Sequence, residues 1–110
     1  MNYSFIVTEN FEKELKNSAK KYVSLKANFT LLKTNIEKEL NLADDLGEGF
    51  KKIRLNIKSK GKGKSGGARV IIYELIINVD NTDLYFGSIY DKSQFNTIDI
   101  SILKKNLGIK

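Results

Sequence analysis

The chain contains no cysteine, no histidine, no proline and no tryptophan. Without cysteine it can form neither a disulfide nor a thiolate nucleophile. The lack of histidine removes the usual general base near neutral pH, and a zinc site would have to be built from carboxylates alone. We therefore expect no metal ion and no cofactor. Because proline is also absent, chain reversals must depend on glycines and on Asn/Asp turns.

Long apolar runs are missing as well. The N-terminal stretch of residues 1–7 is short and is soon interrupted by Glu9, which is unlike a signal peptide. No apolar run approaches the length of about 20 residues that a membrane span needs. With 110 residues, 41% of them apolar, the chain can build one core. We expect a single domain over residues 1–110 and a cytoplasmic location.

Positive charge is concentrated in one part of the sequence. No Asp or Glu occurs between Glu48 and Glu74, and this segment holds eight of the 19 Lys and Arg residues. The other 11 lysines face 13 Asp and Glu residues, which leaves the rest of the chain at about −2. A concentrated cationic segment is the electrostatic footprint of a polyanion-binding site, most often one for nucleic acid. The eight cations are Lys51, Lys52, Arg54, Lys58, Lys60, Lys62, Lys64 and Arg69.

Hydrophobic periodicity predicts an α+β fold. Apolar residues recur at helical spacing from Phe11 to Tyr22 and from Phe29 to Leu40, whereas residues 50–58 alternate with a period of two. The acidic stretch 41–49, which ends in Gly47-Glu48-Gly49, is predicted to be a loop or turn. The predicted order is β-α-α-β-β-β-α, an antiparallel sheet with the helix pair on one face and a C-terminal helix. The predicted elements are strand 3–7, helices 9–22 and 25–40, strands 50–58, 69–78 and 84–90, and a helix from Asp99 to Asn106 that ends at Leu107 and Gly108.

The strand at 50–58 is the most informative element. Its alternation predicts that Ile53, Leu55 and Ile57 face the helices. The opposite face then carries Lys52, Arg54, Asn56 and Lys58, and Arg69 arrives on the next strand. The segment contains no carboxylate to balance these charges, and the planar guanidinium of arginine binds phosphate bidentately. We expect this face to bind phosphate.

The glycine- and lysine-rich stretch at 60–67 resembles part of a phosphate-binding loop, since Gly63-Lys64-Ser65 reads G-K-S. The full motif requires glycine five residues before Gly63, where this chain has Lys58. The stretch also leads into a strand, so no helix N-terminus would face a phosphate. We therefore reject nucleoside triphosphate binding. Lys60, Lys62 and Lys64, together with Lys51, are expected to contact a nucleic-acid backbone instead.

Tyr90 stands at the end of the last predicted strand, before Asp91 and Lys92. It could simply lie at the edge of the core. Near a cationic cluster it could instead stack on a base, or neighbouring positive charge could make its hydroxyl more acidic. The sequence leaves these three alternatives open.

In combination, four stretches resemble the RelE/HigB branch of bacterial type II toxin–antitoxin toxins. They are the basic strand at 50–55, the loop at 58–64, residues 65–73 (SGGARVIIY) and residues 89–93 (IYDKS). The resemblance covers nearly the whole chain, although the N-terminal helices match in pattern only. It implies a RelE-like fold and an endoribonuclease, an mRNA interferase that cuts messenger RNA on the ribosome and so inhibits translation. It also implies a cognate antitoxin, often with a helix-turn-helix domain.

The resemblance also implies roles for particular residues. Lys52, Arg54, Arg69 and Lys92 match the family's basic active-site positions, and Tyr90 matches an aromatic position of HigB-like members. Because RNA supplies its own 2′-hydroxyl as nucleophile, cleavage needs no metal. Arg54 and Arg69 would stabilise the developing charge on the phosphorus oxygens. Lys52, Lys58, Lys92 and Tyr90 are the candidates for acid and base. Some relatives carry a catalytic tyrosine or histidine nearer the C-terminus, where this chain has Thr97, Ile98 and Asp99.

Two alternatives stay open at this point. The first is a protein-targeting toxin that resembles the ParE gyrase inhibitors, which lack the basic catalytic cluster. The second is a relative that binds RNA without cleaving it. For a toxin of this family, the antitoxin is expected either to cover the cationic face or to displace the C-terminal helix.

Overall fold

The structure is a computed structural model, and it describes residues 1–94 and 99–108. Thr97 and Ile98, named above as possible counterparts of a catalytic residue, lie outside the described residues. Within the described part the order is β-α-α-α-β-β-β-β-α. The elements are β1 (Asn2–Val7), α1 (Glu9–Lys21), α2 (Leu25–Thr34), α3 (Ile36–Leu42), β2 (Asp44–Gly47), β3 (Phe50–Leu55), a short 3-10 helix (Lys58–Lys60), β4 (Ala68–Ile76), β5 (Asn81–Asp91) and α4 (Ile100–Leu107).

The strands of the described residues form one sheet in the order β1-β5-β4-β3-β2. The α+β class is confirmed, but the prediction of an antiparallel sheet is wrong. β1 pairs in parallel with β5, from Asn2 beside Asn81 to Val7 beside Phe86, whereas the other strand pairs are antiparallel. The sheet is therefore mixed, because the first strand inserts beside the last one rather than starting a meander.

The acidic stretch at 41–49, predicted to be a loop or turn, also contains a strand. Asp44–Gly47 forms β2, which pairs with β3. The reversal between the two strands runs through Gly47, Glu48 and Gly49, all of which have positive φ angles. Glycine adopts this backbone region without steric cost, so the Gly-Glu-Gly sequence permits a tight turn. The turn agrees with the prediction, whereas the strand that precedes it was not predicted.

Two further boundaries differ from the predictions. The helix predicted over 25–40 is divided at Asn35, whose backbone (φ −104°, ψ 27°) leaves helical geometry between α2 and α3. The strand predicted over 50–58 ends at Leu55, and Lys58 begins the 3-10 helix instead. Consequently Lys58 does not share the strand face of Lys52 and Arg54.

The helices α1 to α3 cover one face of the sheet, as predicted. Both apolar helix stripes lie in this core, and Ile53, Leu55 and Ile57 are buried against them. The rings of Phe11, Phe29 and Phe86 form its aromatic centre, with ring centroids 5.0 to 5.6 Å apart. Offset aromatic pairs of this kind stabilise a core beyond the area that they bury.

The opposite face of the sheet carries α4. Leu103 is fully buried there against Phe50, Ile71 and Tyr90. Asp99 caps the N-terminus of α4 by accepting a hydrogen bond from the Ser101 backbone N–H at 2.8 Å. Gly108 ends the helix in the left-handed conformation, as the sequence predicted. Lys52 and Arg54 of β3 lie on the same face of the sheet as α4, since they alternate with the buried Ile53 and Leu55 of the opposite face.

Candidate active site

Arg54 on β3 lies directly opposite Arg69 on β4, and Arg69 in turn lies opposite Tyr90 on β5. The three side chains form a row across neighbouring strands, because residues in register on a sheet project from the same face. Lys52 occupies the same face of β3, two residues before Arg54. The structure thus brings together four of the predicted site residues: Lys52, Arg54, Arg69 and Tyr90.

The two arginines have very different surroundings. Arg69 is buried, with only 6% of its surface exposed. Its guanidinium donates to the backbone carbonyls of Lys64 (3.0 Å), Ser65 (3.1 Å) and Ala68 (3.1 Å). Burial lowers the pKa of Arg69, and the neighbouring charge of Arg54 lowers it further. Arg69 therefore holds the basic loop against the sheet with several of its donors.

Arg54 is the accessible member of the pair. Its side chain is 57% exposed, and the nearest carboxylate oxygen, on Asp44, lies 4.0 Å from Nη2. An exposed ion pair at this distance contributes little free energy. An incoming phosphate could therefore replace Asp44 as the partner of Arg54 at small cost, with the bidentate geometry that a guanidinium offers.

Tyr90 does not have the properties of a base-stacking platform. Only 2% of the residue is exposed, and it packs against Ile71 and Leu103. The alternative in which neighbouring positive charge makes its hydroxyl more acidic is wrong. Burial raises the pKa of Tyr90, and this effect outweighs the opposing influence of Arg69. The hydroxyl is therefore protonated at neutral pH, which leaves the core-edge alternative for the ring.

The cationic segment contains no carboxylate of its own, but other parts of the chain supply several. Carboxylates from other parts of the chain reach three of the lysines expected to contact nucleic acid. Lys51 lies 3.3 Å from Glu74, and Lys64 lies 3.2 Å from Glu39. Lys60 forms the most buried of these pairs, 2.8 Å from Asp91. Tertiary folding therefore neutralises much of a charge that looks unopposed along the sequence.

Asp91 is the buried centre of a cluster that sequence reasoning missed. Its carboxylate accepts hydrogen bonds from Lys60 Nζ (2.8 Å), the Ser93 backbone N–H (3.0 Å) and the Tyr22 hydroxyl. Burial alone would raise the pKa of Asp91, but the hydrogen bonds from Lys60, Tyr22 and Ser93 hold it well below its ordinary value. No pattern along the chain signals this cluster, because Lys60 and Tyr22 come from elements distant in the sequence.

The remaining predicted cations, Lys52, Lys58, Lys62 and Lys92, form no ion pair within the described residues. Lys58, Lys62 and Lys92 are exposed, and Lys52 is half-buried. Lys92 is placed beside the basic loop, since its backbone N–H donates to the Gly67 carbonyl at 3.0 Å. Asp99 is engaged as the cap of α4, where hydrogen bonds from Ser101 lower its pKa. It offers no base beside Arg54 or Arg69.

In residues 1–94 and 99–108, no three Asp or Glu side chains are grouped so that they could hold a metal ion. No helix in the same residues is long and apolar enough to cross a membrane.

The sequence matches no known family model and no curated protein.

Proposed function

We propose that the protein is a RelE/HigB-like toxin of a type II toxin–antitoxin system, an endoribonuclease that cleaves ribosome-bound messenger RNA in the cytoplasm. The observation that carries the proposal is the Arg54–Arg69 pair, opposite each other on β3 and β4. One arginine is accessible and the other is anchored to the basic loop. Such a pair suits a phosphate that must be held while negative charge builds up on it.

In the proposed reaction the 2′-hydroxyl of the RNA gives its proton to a lysine amine or to water and attacks the adjacent phosphorus. A 2′,3′-cyclic phosphate forms, and the 5′-oxygen leaves with a proton. Arg54 contacts the non-bridging oxygens and stabilises their developing charge. Arg69 lies opposite Arg54 on the neighbouring strand, and its bonds to the carbonyls of Lys64 and Ser65 hold the basic loop in place. Lys52, which lies two residues before Arg54 on the same sheet face, is the candidate to donate the proton. Tyr90, buried and protonated, is less accessible for this role.

The proposed partner is an antitoxin, of the helix-turn-helix type by resemblance. Two binding modes would silence the site. A polypeptide with acidic residues could cover Lys52 and Arg54 directly. Alternatively, it could displace α4, which would uncover the apolar surface of Phe50, Ile71 and Tyr90 that Leu103 now buries. Tight antitoxin binding without any effect on activity would contradict both modes.

The test is expression of the chain in a bacterial host, with growth and RNA 5′ ends as readouts. We expect growth arrest and cleavage of translated messages. The Arg54→Ala variant should lose activity by about two to three orders of magnitude, as is typical when one preorganised donor to a developing oxyanion is removed. Lys13→Ala, which removes an exposed cation on α1 away from the row, is the matched control and should be fully active.

Full toxicity of a folded Arg54→Ala, Arg69→Ala double variant would refute the proposal. Intact transcripts with an induced DNA-damage response would favour the ParE-like gyrase inhibitor instead.

One observation favours a second candidate, an RNA-binding relative without catalysis. Arg69 is buried and donates to two loop carbonyls and to the carbonyl of Ala68 on its own strand, so few of its donors are left for a phosphate. Salt-dependent binding to ribosome-bound messages without cleavage would support that candidate.

A further inference from the structure

A groove opens between α2 and the end of β3, next to Arg54. Its cavity measures about 230 Å³. β2 pairs with β3 only as far as Lys52, so the edge of β3 beyond that residue is not covered by the neighbouring strand. The groove follows this edge. The lining residues that matter for its chemistry are Asn28, Leu31, Asn35, Arg54, Asn56 and Lys58.

Three of these residues are asparagines. The side-chain oxygen of Asn28 accepts from the Lys58 backbone N–H at 3.0 Å and from the Ser24 hydroxyl at 2.8 Å, which fixes the plane of its amide. Asn35 is held at the junction of α2 and α3 by a bond to the Leu31 carbonyl at 3.2 Å. Asn56 is exposed and forms no hydrogen bond through its side chain within the described residues. Asn56 therefore keeps both its donor and its acceptor available, and such a carboxamide pairs in two places with the donor and acceptor edge of a nucleobase.

The groove also has an apolar surface. Leu55 is buried below it, whereas Leu31 is 59% exposed beside it. A flat aromatic ring placed on Leu31 would remove apolar surface from water on both sides, which is favourable in proportion to the area buried. Amide groups around an apolar surface are the combination that binds a base, whereas a site for phosphate alone needs only donors and cations.

Arg54 connects the groove to the candidate active site. It faces Arg69 across the strands and also lines the groove, and Lys58 lines the groove at the other side. Across the rim, Lys64 is held by Glu39 at 3.2 Å. A phosphate bound by Arg54 would therefore have its neighbouring nucleoside at the entrance of the groove.

From this arrangement we infer that the groove binds one unpaired nucleobase of the RNA, adjacent to the phosphate held by Arg54. The inference rests on the proposed function and adds to it a site for base recognition. The size of the cavity agrees with a single base, since pockets for drug-sized ligands are larger, about 300–1,000 Å³. Single-stranded RNA presents its bases in this unstacked form, and proteins read it through them.

The experiment measures binding without requiring cleavage. Fluorescence anisotropy compares a short 2′-O-methyl oligoribonucleotide, which cannot be cleaved because its nucleophile is blocked, with an abasic oligonucleotide of equal length and charge. The wild-type protein should bind the base-containing probe more tightly. Asn56→Ala and Leu31→Ala should each reduce that affinity by about tenfold, the loss typical of one hydrogen bond or apolar contact at a binding site. Neither change should alter affinity for the abasic probe.

Matched controls are available on α3. Asn41→Ala and Leu42→Ala remove an exposed asparagine and an exposed leucine that do not line this groove, and both should bind like wild type. Equal wild-type affinity for the two probes, or no binding of either, would overturn the inference. So would equal losses in the groove variants and the controls. Base-dependent binding in a protein that cleaves no RNA would support the groove while refuting the endoribonuclease, so the two failures are distinguishable.

Discussion

Lys60 Nζ lies 2.8 Å from Asp91 Oδ1, and this ion pair fastens the 3-10 helix of the basic segment to the end of β5. The ring of Tyr22 lies 5.6 Å from the same ammonium, and its hydroxyl donates to the same carboxylate. Both charges are largely withdrawn from solvent. Lys60 was expected to contact an RNA backbone, but its position indicates a structural role in which it orients the loop that follows.

Asp91→Asn should be strongly destabilising. The change leaves Lys60, whose side chain is 18% exposed, without its carboxylate partner. Breaking one side of a buried ion pair typically costs about 3–5 kcal/mol, and we expect a value near the lower limit because Lys60 retains some contact with water. Urea unfolding measures the difference. Glu39→Gln, which breaks the more exposed pair with Lys64, is the control and should cost less than about 1 kcal/mol. Similar losses for both variants would contradict the structural role of Asp91.

The same carboxylate should make the protein sensitive to acid. The pKa of Asp91 is lowered in the folded state, so its contribution to stability is fully present above the ordinary value of about 3.9. That contribution is lost as the pH falls below this value toward the folded-state pKa. The free energy of unfolding should thus fall more steeply from pH 5 to pH 3 in the wild type than in Asp91→Asn, since the variant has no group to protonate there. If the free energies of unfolding of the two proteins changed with pH in the same way, Asp91 would not be the group responsible for the acid sensitivity.

Glu14 should have the opposite effect to Asp91 on the pH dependence of stability. Burial raises its pKa, although hydrogen bonds from Ser88 and Asn10 oppose the shift. Its stabilising contribution is therefore present below the ordinary pKa of about 4.3 and is lost as the pH rises through the folded-state value. Glu14→Gln keeps the acceptor oxygen but not the titration. Relative to the wild type, we expect the variant to gain stability between pH 4 and pH 7, as measured by thermal unfolding. A constant difference across that range would count against the prediction.

Arg69→Ala should loosen the basic loop. The variant loses the bonds from the guanidinium to the carbonyls of Lys64 and Ser65, and we expect a cost of about 2 kcal/mol because the freed carbonyls can bind water. Faster tryptic cleavage after Lys62 and Lys64 would report the local opening. Arg54→Ala is the matched control, since its ion pair is exposed and long, and it should change stability by less than about 0.5 kcal/mol. Unchanged loop cleavage in Arg69→Ala would show that other contacts hold the loop.

Gly67→Ala tests why the loop ends in two glycines. A Cβ at Gly67 would lie 2.1 Å from the Leu55 carbonyl oxygen, a backbone atom that cannot move aside cheaply. We expect a loss of at least about 2 kcal/mol in the free energy of unfolding. Gly63→Ala is the comparison, because nothing lies within 4 Å of that Cβ and only the positive φ of 64° is strained, at about 1–2 kcal/mol. If Gly63→Ala proved the more harmful change, the close approach of Gly67 to β3 would be wrong.

Local patterns predicted much of the secondary structure. The spacing of Phe11, Leu15 and Tyr22 predicts α1, and the alternation about Ile53 and Leu55 predicts the buried face of β3, both as observed. These signals are reliable because neighbouring residues share an element whose period is fixed by backbone geometry. The break at Asn35 and the β2–β3 hairpin were missed, since each depends on backbone angles at a few residues that the hydrophobic pattern does not encode.

The sequence predicted only part of the candidate site. The clustering of Arg54 and Arg69 in one segment predicts that the two side chains meet, and the register of β3 and β4 agrees. Their unequal exposure was not predictable, because it arises from the path of the loop at 58–67 over Arg69. Nor was the groove beside Arg54, which is formed by α2 and the uncovered edge of β3.

The sequence by itself determined the α+β class, the helix faces and the concentration of positive charge between Glu48 and Glu74. Those properties depend on composition and on short-range periodicity. The tertiary structure alone decided which of those charges stay available. Asp91, Glu39 and Glu74 reach Lys60, Lys64 and Lys51 from elsewhere in the chain. Electrostatic interactions depend on distance in space and on burial, and neither quantity can be read from separation along the chain.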